Sequence, residues 1–416
     1  MRHVLLCVAL WALMVPMAPM AHATPASLER KVGELLMVGF PGKRPGARGV
    51  EAVRREVAAG RVGGVILFRA NIGSLSDVAA LTGALQQAAP TPLFIAVDQE
   101  GGRVQRLRAR DGFPGTPSAA AVAARTTPAG ARGVYRPMAQ GLSDLGINVN
   151  FGPVADLNTY RNNPIIGRLG RSFGADPGQV AAYAGAFVDA HREFGVATAL
   201  KHFPGHGSSR GDTHKGSVDV SRTWQEAELT PFKALADAGR ADMVMVAHVS
   251  LRRPGVADSA GPASLSSAVV DGLLRQRLGY DGVVVSDDMD MDAVRNVTGR
   301  RAGAVAALLA GVDLQIYSDH RGDPAGLIAD LRSALLSAAA RDPRVARRIE
   351  EAHRRITALK SRMGATAFAT AALPGWRAPV PRPAPRGPAD PIAAKLAAAA
   401  QATEGLPALV LPPRRP

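Results

Sequence analysis

The sequence predicts an α/β fold, a single (β/α)8 barrel of the TIM type carrying a Pro/Ala-rich C-terminal tail. Three observations predict it. Short apolar, β-branched runs alternate with longer stretches of helical period, which is the pattern of parallel βα units. There are eight such runs, the number that closes this kind of barrel. Residues able to do chemistry collect at the C-terminal ends of the runs, where a barrel gathers its active site. An open doubly wound sheet would do the same, but no Gly-x-Gly-x-x-Gly turn follows the first run.

In chain order the runs are GELLMVGF (33–40), VGGVILF (62–68), PLFIAVDQ (92–99), INVNFGPVAD (147–156), VATALKHF (196–203), ADMVMVAHV (241–249), GVVVSDDM (282–289) and AGVDLQIYS (310–318). Helical periodicity, bounded by turn residues, places helices at 76–89, 178–194, 224–238, 266–278 and 325–340 among others. Asp98 closes the third run, Asp156 the fourth, Lys201 and His202 the fifth, His248 the sixth, and Asp287 with Asp288 the seventh.

The two ends read differently from the middle. Residues 1–23 have the form of a cleavable signal peptide: Arg2 and His3, an apolar run broken by Pro16 and Pro19, then Ala21-His22-Ala23. The run is short against the roughly 20 apolar residues a membrane-spanning helix needs. Export to a periplasmic or extracellular location is therefore expected. Cys7, the single cysteine, lies within this leader, so no disulfide is expected and folding of 24–365 must rest on core burial, for which a hydrophobic fraction of 47% suffices. From 366 to 416 the composition changes to LPGWRAPVPRPAPRGPADP and then IAAKLAAAAQATEGL, which cannot build a core and reads as a disordered basic tail.

A formal charge of +15 raises nucleic acid as a partner, but aromatics are only 5%, the basic residues are scattered and the leader removes the chain from the cytosol. No nucleic-acid partner is expected. An anionic cell wall, touched electrostatically by the basic tail, fits the charge better.

The stretch KHFPGHGSSRGDTHKG (201–216) holds three histidines, two lysines and an aspartate. A metal site built from His202, His206 and His214 would need a helix to bring rings four residues apart onto one face, and Pro204, Gly205 and Gly207 forbid one. No metal and no cofactor is expected. Proton transfer uses the same residues differently: Asp212 and His214, two apart on a glycine-flanked loop, allow the carboxylate to take one ring nitrogen and leave the other for a substrate. The acidic cluster SDDMDMD at the end of the seventh run offers a carboxylate nucleophile, although Asp is also a favoured helix-capping residue there.

Taken together, DQEGGRVQRL (98–107), GRSFG (170–174), KHFPGHG with DTH (201–214), PASLS (262–266) and GVVVSDDM (282–289) resemble family 3 glycoside hydrolases, in particular their β-N-acetylhexosaminidase branch. The resemblance runs in order from about residue 30 to residue 320, and the KHFPGHG…D-x-H loop is its most specific part. It implies a metal-free, one-domain barrel that removes N-acetylglucosamine from peptidoglycan fragments or related oligosaccharides through a glycosyl-aspartate intermediate. Carried onto this chain, it makes Asp287 the nucleophile and Asp212 with His214 the acid/base pair; Asp98, Arg106, Arg171, Lys201 and His202 take the positions that grip the sugar. Thr213 stands where serine is usual and Met289 where leucine is common, and neither changes a reacting group. Two other readings stay open: a phosphorolytic version of the same reaction, and a wall-binding protein that has kept the barrel without turnover.

Overall fold

A computed structural model describes residues 26–259, 261–319 and 322–368. Eight parallel strands close a barrel: β1 (Leu36–Val38), β2 (Gly64–Leu67), β3 (Phe94–Val97), β4 (Val149–Asn150), β5 (Ala197–Phe203), β6 (Met243–Val246), β7 (Val283–Asp288) and β8 (Leu314–Tyr317). Each predicted run contains one of them. The register passes Met37 to Gly64, Val65 to Ile95, Ala96 to Val149, Val149 to Ala197, Ala199 to Met243, Met243 to Val283 and Val285 to Leu314, and closes from Ile316 to Met37. Strands β1, β2, β3, β6 and β8 are buried at every position. Burial on both faces is why these runs read as continuous apolar sequence, without alternation.

Strand β4 is far shorter than its run. Pro153 has no N–H for the ladder, and beyond it the chain stays against β5 through single bonds such as Ala155 N to Lys201 O, 2.7 Å. Asp156 is thereby held above the barrel mouth.

The helices between strands are α1 (Arg48–Ala58), α2 (Leu75–Ala88), α3 (Pro128–Asp144), α4 (Pro177–Arg192), α5 (Thr230–Asp237), α6 (Ala268–Arg277), α7 (Asp292–Ala310) and α8 (Pro324–Arg341). Their starts follow from local chemistry. Ser74 and Asp77 cap α2 reciprocally, while Asp176 and Asp323 accept first-turn N–H groups of α4 and α8, each followed by a proline whose missing N–H costs nothing there. The helix expected over 224–238 divides into a 3-10 turn, Glu226–Leu229, and α5, with Pro231 at the junction. Helix α6 is a π-helix, and nothing in its sequence accounts for that.

The N-terminal end of the barrel is closed by the last helix, Pro343–Phe368. Asp313, fully buried, accepts from Arg275 at 2.7 Å, Arg348 at 3.3 Å and Arg355 at 3.4 Å, and Lys360 reaches Glu34 at 2.5 Å. The Phe368 ring lies 6.4 Å from that of Phe94. The described fold thus continues past 365, the boundary expected from composition, by the few residues needed to seat this aromatic pair. The leader expected over 1–23 and the part of the expected tail beyond 368 lie outside the described residues, among which no helix is long and apolar enough to cross a membrane.

Candidate active site

A cavity of about 330 Å³ opens at the C-terminal end of the barrel. Asp98, Arg106, Arg171, Lys201, His202, Asp212, His214 and Asp287 all line it, so the structure brings together every residue to which the resemblance gives a role. Phe68, Phe151, Met245 and Ile316 supply its apolar surface.

One wall is a continuous chain of acids and bases. Arg106 donates to Asp98 Oδ2 at 3.0 Å, Lys201 Nζ to Asp98 Oδ1 at 2.9 Å, and Lys201 also lies 2.7 Å from Glu100 Oε1. Arg171 grips Glu100 with two parallel bonds of 2.8 Å, and its Nη2 meets His202 Nε2 at 3.2 Å. His202 Nδ1 completes the chain at Asp156 Oδ2, 2.6 Å. Each ring nitrogen of His202 thus has its own partner, the carboxylate at Nδ1 and the guanidinium at Nε2. The three carboxylates balance the three cations, so the wall is neutral as a whole and densely polar.

The electrostatics follow. Burial alone would raise Asp98, but Lys201 and Arg106 outweigh it and hold the carboxyl below its ordinary range. Burial likewise opposes ionisation of Glu100, and Arg171 with Lys201 reverses that effect. Asp98 and Glu100 therefore stay anionic, each with lone pairs left to accept hydroxyl hydrogens, and Lys201 keeps one N–H for a hydroxyl oxygen. Arg171 is more committed: Nε and Nη2 serve Glu100 and Nη1 donates to Ile165 O at 2.9 Å. Removing a partner from such a buried pair leaves an uncompensated charge. Arg171→Met is expected to lower unfolding free energy by about 3 kcal/mol, read as a lower urea midpoint.

Asp287 ends β7 on the opposite side. Its Oδ1 accepts from the N–H of Asp288 at 2.8 Å, and although burial would raise its pKa, His248, His202 and that N–H keep it below the usual range. A carboxylate held ionised in this way is able to act as a nucleophile. Neighbouring Asp288 differs: burial pushes its carboxyl up to about 6, and its Oδ1 accepts from Asp290 N and Ser318 N, both at 3.0 Å, which fixes the turn after β7. His248 holds the same turn from below, through Asp288 O at 2.9 Å and Ser264 Oγ at 2.7 Å.

The loop after β5 carries the remaining pair. Asp212 Oδ1 accepts both the backbone N–H of His214, at 3.0 Å, and its ring Nδ1, at 2.8 Å, so Nε2 is directed outward. The Asp212 carboxyl, which burial would raise, is held low by these two bonds. The His214 ring is 67% exposed, whereas Thr213 beside it is buried above His206. His206 is itself buried, which pushes it down to about 4, and it bonds Ser209 Oγ at 2.7 Å. The loop histidines thus face three different partners, and among the described residues no group of three His, Cys, Asp or Glu side chains is arranged to hold a metal ion. Glycine is required at 207, where a Cβ would sit 1.6 Å from Leu157 O.

Sequence reasoning gave no site role to Glu100, Asp156 and Asn163. Glu100 lies inside the quoted DQEGG motif, yet its partner Arg171 is 71 positions away; Asp156 was visible only as the end of a run. Asn163, fully buried, donates to His206 O at 2.7 Å and Gly207 O at 3.1 Å, and its surrounding sequence carries no signal of that role.

A parallel barrel with a polar, carboxylate-rich cavity at its C-terminal face has the layout of a sugar-processing enzyme, although fold alone assigns no activity. The family model for the glycosyl hydrolase family 3 N-terminal domain matches residues 27–359, and the chain belongs to that family of glycoside hydrolases. A β-hexosaminidase of Xylella fastidiosa (strain M23) is 40% identical over 310 residues, covering 72% of this chain and 88% of that protein. β-Hexosaminidase LpqI of Mycobacterium tuberculosis is 37% identical, over 71% of this chain and 74% of its own length. Among solved structures, a family 3 β-N-acetylglucosaminidase from Paenibacillus sp. str. FPU-7 superposes with a TM-score of 0.74 at 38% identity, covering 82% of this chain; this chain spans only 63% of that one. A β-N-acetylhexosaminidase from Beutenbergia cavernae gives 0.72 at 34% identity, over 81% of this chain and 99% of its own.

Proposed function

We propose that this enzyme is an exo-acting β-N-acetylglucosaminidase that works with retention of configuration. Asp287 attacks the anomeric carbon, the β-glycosidic bond breaks, and His214, aligned by Asp212, gives its proton to the departing oxygen. In the second step His214 takes a proton from water, the oxygen attacks the anomeric carbon, and the bond to Asp287 breaks. The observation that carries this reading is that an ionised Asp287 and a His–Asp pair line a single cavity. Two groups on either side of the scissile bond are what a double displacement needs.

The substrate class is supported by the β-hexosaminidase and β-N-acetylglucosaminidase names of the relatives, and exo action by a cavity near the lower end of the range for ligand pockets. Murein fragments are the proposed natural substrates and the periplasm or cell exterior the proposed location, from the signal-peptide form of residues 1–23 and the net charge of +15.

The test is hydrolysis of an aryl β-N-acetylglucosaminide, with the first-formed anomer followed by NMR and the aryl β-glucoside as control. Release of the β-anomer and strong preference for the acetamido sugar are expected. Inversion would overturn the mechanism, and binding without turnover would leave a wall-binding protein. A sugar 1-phosphate formed in phosphate buffer would make the enzyme a phosphorylase.

A further inference from the structure

Beneath the loop that carries Asp212 and His214 lies a carboxyl group that the chemistry above does not use. Residues 201–209 are all buried, and the base of the loop is tied down group by group. The Trp224 indole donates to Pro204 O at 2.9 Å, His206 N donates to Asp156 Oδ1 at 2.8 Å, and Asn163 takes the carbonyls of His206 and Gly207. Two buried atoms are left over. Glu228 Oε2 and Ser208 Oγ each lack a hydrogen bond of normal geometry, and the carboxyl faces that hydroxyl and the Ser208 backbone N–H.

Sterics lock the same contact. Gly205 has φ +125°, and a Cβ there would lie 2.7 Å from Glu228 Oε2, so the carboxyl occupies the space that a side chain would need. Its other oxygen, Oε1, accepts from Gln225 N at 3.2 Å, closing the turn that leads into α5. The charge facing Glu228 from the loop after β4 is the Asp156 carboxylate. On its own turn, Glu226 is taken by Arg277; from the strand Val249–Arg253, the Arg253 guanidinium is taken by Trp224 O at 2.9 Å.

We propose that Glu228 is a positioning residue for the acid/base loop: its carboxyl, wedged against Gly205 and facing Ser208, joins that loop to the turn at 225–228, and a change of its charge beside Asp156 remakes this contact. The loop that carries Asp212 and His214 then moves relative to the cavity wall. The inference rests on the acid/base reading of that pair. Burial, opposed by Ser208 and Gln225 and aided by repulsion from Asp156, raises the carboxyl from 4.5 to about 7. The sign is fixed by linkage. A carboxyl whose pKa is higher in the folded than in the unfolded chain binds its proton more tightly when folded, so stability falls as pH rises from 4.5 to about 7 and levels off above.

Trp224 reports on the contact directly, because its indole holds Pro204 and it sits four residues before Glu228. The experiment uses the full chain with Trp11→Phe and Trp376→Phe, so that Trp224 is the sole emitter. Its emission should change with a midpoint near pH 7 in this parent and stay flat in Glu228→Gln. For a disaccharide, kcat/KM of the parent should fall more steeply on the alkaline side than that of Glu228→Gln, because the parent loses the proton of Glu228 in addition to any other. An emission change that persists in Glu228→Gln would overturn the proposal and assign the titration to another group such as Asp288. Should Glu228→Gln fail to fold, Ser208→Ala serves instead: it removes a donor to the ionised carboxyl and should move the emission midpoint upward, and an unmoved midpoint overturns the proposal. A parent that shows the Glu228-dependent emission change but turns over no amino-sugar glycoside would sink the acid/base reading and leave the loop contact standing.

Discussion

Asp287→Ala is expected to leave a folded protein whose turnover falls by at least about 10⁴-fold, on activated aryl glycosides and natural disaccharides alike. Both substrates suffer because both require the bond between carboxylate and anomeric carbon, whatever the quality of the leaving group. The fold should survive. Among the described residues the Asp287 side chain hydrogen-bonds the N–H of its neighbour alone, and the turn after β7 is held by Asp288 and His248 instead. The cavity left by the truncated side chain admits a small anion. Added azide should therefore attack from the vacated side, expel the aryl leaving group and yield the α-glycosyl azide from a β-glycoside. A variant that keeps most of its turnover, or a rescued product of β configuration, would remove Asp287 from the nucleophile's position.

His214→Ala should discriminate between substrates where Asp287→Ala does not. General acid catalysis contributes about 10² to 10⁴-fold when the departing oxygen is strongly basic and little when an acidic phenol leaves unaided. A disaccharide should thus lose about that factor, and a dinitrophenyl glycoside should keep nearly all of its rate of glycosyl transfer to the enzyme. Asp212→Ala should give the same selectivity more weakly, since the imidazole remains but loses the bond that fixes its tautomer and direction. Stability should barely change, because the ring is mostly exposed and Asp212 is its hydrogen-bond partner. Equal slowing of both substrates would transfer the acid role to another group and make His214 a binding residue.

How far the sequence disclosed this molecule depended on the range of each interaction. The eight strands were legible because burial on both faces leaves an unbroken apolar signature, and α2, α4 and α8 because cap residues and, for α4 and α8, a following proline announce them. Helices α3 and α7 carry opposing punctuation, Pro137 within the one and Gly299 at φ +69° within the other, so periodicity alone does not declare them. At the site, Asp212 and His214 are two positions apart and disclose their partnership locally. Glu100 and Arg171 form as definite a pair, but only the pairing of β3 with β4 brings them together, and a glutamate followed by two glycines resembles any solvated turn. Glu228 is the extreme case: its meaning comes from the loop that buries it.

The placement of the two groups proposed to react has a further consequence for change over time. Asp287 is mounted on a barrel strand, where any shift disturbs β6 and β8 through the ladder. His214 stands on a surface loop whose base is clamped and whose outer half, Arg210 to Gly216, is largely open to solvent. Mutations at its exposed positions that carry no reacting group, Arg210 and Lys215, can reshape the room offered to the leaving group with little penalty in folding, while Asp287 stays where it is. A lineage built this way can trade one aglycone for another by a handful of loop substitutions, and directed libraries confined to those positions should yield altered specificity far more often than libraries spread over the strands.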